Sequence, residues 1–168
     1  MQRRTLLRLG IGAAVTLAVA GGGIALVRPG LRGAQLGEAG REVMRAVARA
    51  VLDGVLPGEA QARDRALDAH LGRLDAAIAA FPPATRAELS QLLALLASAP
   101  GRLALAGLGT AWPQAEVEAI QQALQGLRVS RLSLRQQAYH ALRDLTNAAY
   151  FSDPAAWAHL RYPGPPDL

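Results

Sequence analysis

The chain has 168 residues and a formal charge of +5, with 18 basic residues, 13 acidic residues and no cysteine. The lack of cysteine excludes disulfides, thiolate metal sites and covalent c-type haem attachment. Residues 29–168 carry 14 arginines and 13 acidic residues, a net charge of +1. The positive excess therefore lies in the first 28 residues, and the composition gives no support to a nucleic-acid-binding surface.

Residues 1–27 have the three-part organisation of an export leader. A basic start is followed by an uncharged run from Leu9 to Val27, with small residues toward its end. The one Arg-Arg pair of the chain stands just before this run. The pattern resembles the twin-arginine translocase consensus, whose signal residues here are Arg3, Arg4, Leu6, Leu7 and Arg8. This resemblance implies export of a folded protein to the periplasm.

The same run leaves two fates open for the leader. Its 19 residues would span about 28 Å as a helix, which just crosses a hydrocarbon core of ~30 Å. A single transmembrane anchor is therefore the alternative to a cleaved signal. Ala18-Val19-Ala20 fits a small-x-small cleavage site. We expect a periplasmic location in either case, with an inner-membrane anchor if the leader is retained.

Residues 28–37 contain one proline and three glycines, a composition that cannot sustain a helix, and we predict a linker there. Beyond it, apolar residues recur at helical spacing in successive blocks, most of which are bounded by Gly or Pro. The blocks are Val43/Val47/Ala50/Val51, Leu67/Leu71/Leu74/Ile78/Phe81, Leu89/Leu92/Leu93/Leu96, Val117/Ile120/Leu124/Leu127 and Leu134/Ala138/Leu142/Leu145/Ala149. A shorter piece with Leu103, Leu105 and Leu108 lies among glycines. These blocks predict an all-α fold, a single small domain of five or six short helices over residues 38–151.

The helical region contains few residues that could perform chemistry. His70, His140 and His159 lie in three separate segments without metal-ligand spacing, so each is interpreted as a boundary residue. Asp64 and Asp68, four residues apart on a helix, are interpreted as part of a solvated salt-bridged face with Arg63, Arg65 and Arg73. No nucleophile elbow or dinucleotide loop is present in the sequence. We therefore expect a protein that is not an enzyme and holds no cofactor of its own.

Aromatic residues are concentrated at the end of the chain. Four of the seven fall in the last nineteen residues: they are Tyr150, Phe151, Trp157 and Tyr162. The segment 152–168, which we call the tail, is rich in proline and cannot continue the last helix. The rings could close the edge of the core or could dock a partner. The candidate partner-binding residues are Tyr150, Phe151, Trp157, Arg161, Tyr162 and Pro163.

Residues 139–153 and the closing Leu160-Arg-Tyr-Pro-Gly-Pro are similar to the end of the gluconate 2-dehydrogenase subunit 3 family. Val51-Leu-Asp-Gly-Val-Leu-Pro57 resembles an early helix of that family, which ends in apolar residues and proline. The similarity covers the leader, this early piece and the last forty residues.

The resemblance implies a small, non-catalytic subunit of an FAD-dependent dehydrogenase of the glucose-methanol-choline type. FAD would belong to the large subunit, electrons would pass to a partner such as a cytochrome c subunit, and the leader would take the folded complex to the twin-arginine translocase. A stand-alone, membrane-tethered periplasmic helical binding protein without a redox partner is the alternative.

Overall fold

The computed structural model describes residues 28–157. The predicted leader with its signal residues lies outside this range, as do Arg161, Tyr162 and Pro163 of the tail. Within it, five helices have twelve or more residues: α1 (Glu38–Val51), α2 (Ala60–Ala79), α3 (Pro83–Ala97), α4 (Val117–Arg128) and α5 (Ser133–Phe151). Shorter helical turns occupy Ala99–Gly101, Arg102–Ala106, Trp112–Gln114 and Pro154–Trp157. The predicted all-α class is confirmed.

Residues 28–37, predicted as a linker, instead form a small antiparallel hairpin. Its strands are β1 (Leu31–Arg32) and β2 (Gln35–Leu36), joined through Gly33 at a φ of 65°. Leu31 and Leu36 are buried in the main core. The Leu31 N–H donates to Ser90 Oγ at 3.0 Å, and the Leu36 N–H donates to Asp75 Oδ1 at 2.7 Å. Proline and glycine do prevent a helix here, but they do not prevent a hairpin whose groups find partners on α2 and α3.

Helix α1 lies at the centre of the domain and packs against α2, α3, α4 and α5. Except for Met44, its buried residues are small or β-branched, and Val43, Ala46 and Val47 are at most 2% exposed. Gly40 of α1 packs against Gly30, the residue before β1, and a Cβ at position 40 would come within 2.2 Å of the Gly30 carbonyl oxygen. Small residues therefore allow neighbouring elements to surround this helix closely.

The predicted apolar blocks coincide with the core. Within them, Val51, Phe81, Val117, Leu134 and Leu145 are partly buried against the core, and the other residues are buried. The glycine-rich piece forms a π-helical turn, Arg102–Ala106, which ends at Gly107 with a φ of 71°. The next turn, Trp112–Gln114, packs against α1; Trp112 is 1% exposed and donates from Nε1 to the Leu96 carbonyl at 2.7 Å.

Among residues 28–157, no single helix is long and apolar enough to cross a membrane. One pair of helices, Pro83–Ala97 and Ala99–Ala106, is long and apolar enough only when the two are taken together, and the pair is bent by 88°.

Candidate partner-docking surface

The end of α5 brings together the first two predicted docking aromatics. Tyr150 is partly buried and packs against a small cluster formed by Ala48, Leu52 and Leu67. Its ring meets that of Phe151 edge to face, with centroids 5.2 Å apart. Phe151 is 39% exposed. The pair thus divides between the two roles left open by the sequence, because Tyr150 completes the domain's packing while Phe151 offers ring surface to solvent.

Arg73 on α2 fixes this end of α5. Its Nε donates to the Ala149 carbonyl at 2.9 Å, and its Nη1 donates to Asp153 Oδ2 at 3.1 Å. A guanidinium at the C-terminus of a helix satisfies a carbonyl without an intrahelical partner and interacts favourably with the helix dipole. One side chain therefore joins α2 to both α5 and the segment that follows it.

The beginning of the predicted tail folds back onto α5. Asp153 Oδ1 accepts from the Ala155 N–H at 3.0 Å, and the short helix Pro154–Trp157 begins at the next residue. Trp157 is partly buried, and its Nε1 donates to the Phe151 carbonyl at 2.8 Å. Phe151 and Trp157 are thus held close together by backbone and side-chain bonds, and we define them as the aromatic end of the domain.

The electrostatic environment of Tyr150 favours its neutral form. Burial raises the pKa of the phenol, while Arg73 lowers this pKa and Asp153 raises it. The hydroxyl therefore remains protonated and uncharged at neutral pH.

An open groove of about 670 Å³ runs beside α1, and it contains several arginines. Arg41, Arg45 and Arg49 lie four residues apart on one face of the helix. Arg41 pairs with Asp75, Arg45 pairs with Asp68 and Asp64, and Arg49 donates to the Ala115 carbonyl. These guanidinium groups bind the domain's own oxygens, so the groove is a weaker candidate for a ligand site than its arginine content suggests.

The predicted salt-bridged face on α2 is present, but its acidic residues pair with a different arginine from those expected. Asp64 and Asp68 do form salt bridges, but their partner is Arg45 on α1. Arg63 and Arg65 donate to backbone carbonyls of Gly58 and Gln61. The pairing with α1 was missed because it joins residues about 20 positions apart, which no local spacing reveals.

The histidines do not form a site in the described part of the chain. His140 is exposed and makes an edge contact with Tyr139, with ring centroids 5.3 Å apart. His70 is 1% exposed, so its interpretation as a boundary residue is wrong. His159 lies outside residues 28–157. Within that range, no group of three or more His, Asp or Glu residues is arranged to hold a metal ion.

Comparison of the chain with protein-family models, with curated proteins and with solved structures found no match.

Proposed function

We propose that this chain is the non-catalytic small subunit of an FAD-dependent dehydrogenase, and that it binds the folded flavoprotein and directs its export by the twin-arginine route. The observation that carries the proposal is the aromatic end of the domain. Phe151 lies in the segment that resembles the gluconate 2-dehydrogenase subunit 3 family, and it is exposed beside the partly buried Trp157.

The geometry of this end suits docking because hydrogen bonds within the domain hold its backbone and the Trp157 ring in place. Arg73 holds the Ala149 carbonyl and Asp153, and Trp157 is hydrogen bonded to Phe151. A surface that is already rigid loses less conformational entropy on binding. Large aromatic side chains are also the residues that most often dominate interface energies.

The proposed mechanism is physical coupling between binding and export. A flavoprotein acquires FAD and folds in the cytoplasm, so it requires a route that accepts folded cargo. The aromatic end would bind the flavoprotein, and Arg3 and Arg4 would present the complex to the translocase. Oxidation of the substrate and transfer of electrons to a cytochrome c subunit or another acceptor would take place outside this chain.

Co-purification of the tagged full-length chain from its native cells tests the proposal. We expect a stoichiometric partner with flavin absorbance. Replacement of Phe151 by Ala should weaken this complex by about 2 kcal/mol, the size of an interface hot spot. The matched control is Leu103→Ala, which truncates an apolar side chain that is 61% exposed on the π-helical turn and should leave binding unchanged.

Two results would contradict the proposal. Recovery of the chain alone under conditions that preserve other membrane complexes would favour the stand-alone, membrane-tethered binding protein. Unchanged binding of the Phe151→Ala variant would exclude the aromatic end from the interface.

A further inference from the structure

The connection between α4 and α5 exposes two aliphatic side chains to solvent. It consists of Val129, Ser130, Arg131 and Leu132. Val129 is 63% exposed and Leu132 is 64% exposed. Their Cα atoms are separated by three residues and hence by at most about 11 Å. We refer to these four residues, with the flanking Arg128 and Arg135, as the α4–α5 corner.

The stability of the helices does not explain the exposed leucine. Leu132 is the N-cap of α5, with an extended backbone at a φ of −86° and a ψ of 117°. At this position Ser, Thr, Asp or Asn stabilises a helix by accepting hydrogen bonds from its first N–H groups, and Leu is among the poorest choices. An apolar residue therefore occupies a site where folding favours a polar one, and this points to a role outside the fold.

The corner is also positively charged. Residues 119–143 contain four arginines and no acidic residue. Arg128 and Arg131 are exposed, and Arg135 is partly buried. Arg128 donates to the neutral side chain of Gln125 at 2.9 Å, and Arg131 forms no hydrogen bond or ion pair with any residue in the described part of the chain. The arginines of α1 that face α2, by contrast, are paired with carboxylates.

We propose that the α4–α5 corner rests on an anionic lipid surface. Val129 and Leu132 would enter the boundary between headgroups and acyl chains, while Arg128 and Arg131 would remain at the phosphate level. A connection of four residues offers little of the ~800 Å² per partner that a stable protein interface requires. A bilayer, in contrast, needs only a few inserted side chains together with basic neighbours. The inference depends on the corner alone and not on the proposed flavoprotein.

The full-length chain can be tested directly because its sequence contains no cysteine. A single Ser130→Cys substitution places an environment-sensitive fluorophore between Val129 and Leu132. We expect its emission to shift to the blue, and lipid-borne quenchers to reduce it, on vesicles that contain phosphatidylglycerol but not on pure phosphatidylcholine vesicles. A label at Leu103→Cys is the control, because Leu103 is 61% exposed. This label should show the emission of a water-exposed fluorophore on both kinds of vesicle. The readout is the depth of the label, so attachment of the chain elsewhere does not produce it.

Two sets of variants distinguish docking from folding. Leu132→Ser should remove the blue shift while the melting temperature stays equal or rises, because Ser is a better N-cap. Arg128→Gln and Arg131→Gln should each lower the equilibrium constant for corner insertion about fivefold.

A label at position 130 that reports water on anionic vesicles would overturn the proposal. An undiminished shift in the Leu132→Ser variant would do the same. A label that becomes buried only when a flavoprotein is added would also overturn it, by assigning the corner to a protein interface. None of these results bears on whether the aromatic end binds the flavoprotein.

Discussion

His70 is a buried ionisable residue without a counterion. Its ring is 1% exposed, and neither nitrogen has a hydrogen-bond partner among residues 28–157. Burial, assisted by the nearby Arg73, lowers its pKa from 6.5 to about 4. Between pH 4 and 6.5, His70 is therefore mostly neutral in the folded protein and mostly protonated in the unfolded chain.

This depressed pKa predicts a loss of stability in acid. The contribution of neutral His70 is fully present above pH 6.5 and declines as the pH falls toward 4, because the unfolded chain takes up the proton first. The difference in pKa corresponds to a loss of roughly 3 kcal/mol in the free energy of unfolding at the acid end of this range.

Urea unfolding of wild type and His70→Leu at pH 7.5 and 4.5 measures this loss of stability. The variant should lose less stability than wild type, and His140→Leu, at an exposed position, should behave as wild type. Equal pH dependence in all three proteins would show that His70 is not the source.

His70 and the terminal aromatic residues could be singled out from the sequence, but the extent to which each is buried could not be predicted. His70 lies between Leu67 and Leu71 on the inner face of α2, and its position in the apolar pattern was the available signal. Tyr150 and Phe151 are neighbours, yet one packs on residues of α1 and α2 while the other faces solvent. That division depends on contacts between residues about 100 positions apart, which a local pattern does not encode.

At the scale of elements, the energetic contribution of the Arg73 bonds between α2 and the end of α5 can be measured. Arg73→Ala removes the bonds to the Ala149 carbonyl and to Asp153. Asp153→Ala removes the second of these bonds together with the bond that Asp153 accepts from the Ala155 N–H. Because both side chains are about one-third exposed, we expect a coupling energy of at most about 1 kcal/mol in a double-mutant cycle. Arg73→Ala should also accelerate amide exchange over residues 149–157. Unchanged exchange there would mean that the aromatic end is held in place without Arg73.

The five helices were predictable because each carries an apolar stripe, and Gly or Pro separates every consecutive pair except α4 and α5. The hairpin was not, because strands of two residues are too short to show alternation. Its stability comes instead from Ser90 and Asp75 on two helices. The sequence pattern thus captures local periodicity, and it misses an element that depends on distant partners.

A pair of glycine substitutions tests whether the hairpin belongs to the folded domain. Gly40 lies against Gly30, so a Cβ at position 40 would meet the Gly30 carbonyl oxygen at 2.2 Å, whereas a Cβ at Gly72 on α2 meets nothing within 4 Å. We expect Gly40→Ala to destabilise the protein by about 2 kcal/mol, since backbone must move to make room. Gly72→Ala should stabilise it by about 0.5–1 kcal/mol through helix propensity. Equal and small effects at both positions would show that the hairpin packs loosely in solution.

At the scale of the whole molecule, the proposed function links the two ends of the chain. The described domain carries the aromatic end and the α4–α5 corner, whereas Arg3 and Arg4, the signal residues of the proposal, precede the described range. Neither part is sufficient in this proposal, because a leader without a docking surface exports only itself, and a docking surface without a leader leaves the flavoprotein in the cytoplasm.

Replacing Arg3 and Arg4 together by Lys separates these contributions. The charge of the segment is retained while the paired guanidinium groups are lost, and lysine does not reproduce the planar, multidentate hydrogen bonding of arginine. We expect this chain and the flavin dehydrogenase activity to move together from the periplasmic to the cytoplasmic fraction, with the complex still recoverable there by its tag. The matched control is Arg32→Lys, a change at an exposed arginine of β1, which should leave export unchanged. Normal periplasmic activity in the double variant would contradict the twin-arginine assignment. Export of the flavoprotein while this chain remains in the cytoplasm would instead contradict the coupling, because it would show that the flavoprotein reaches the translocase independently.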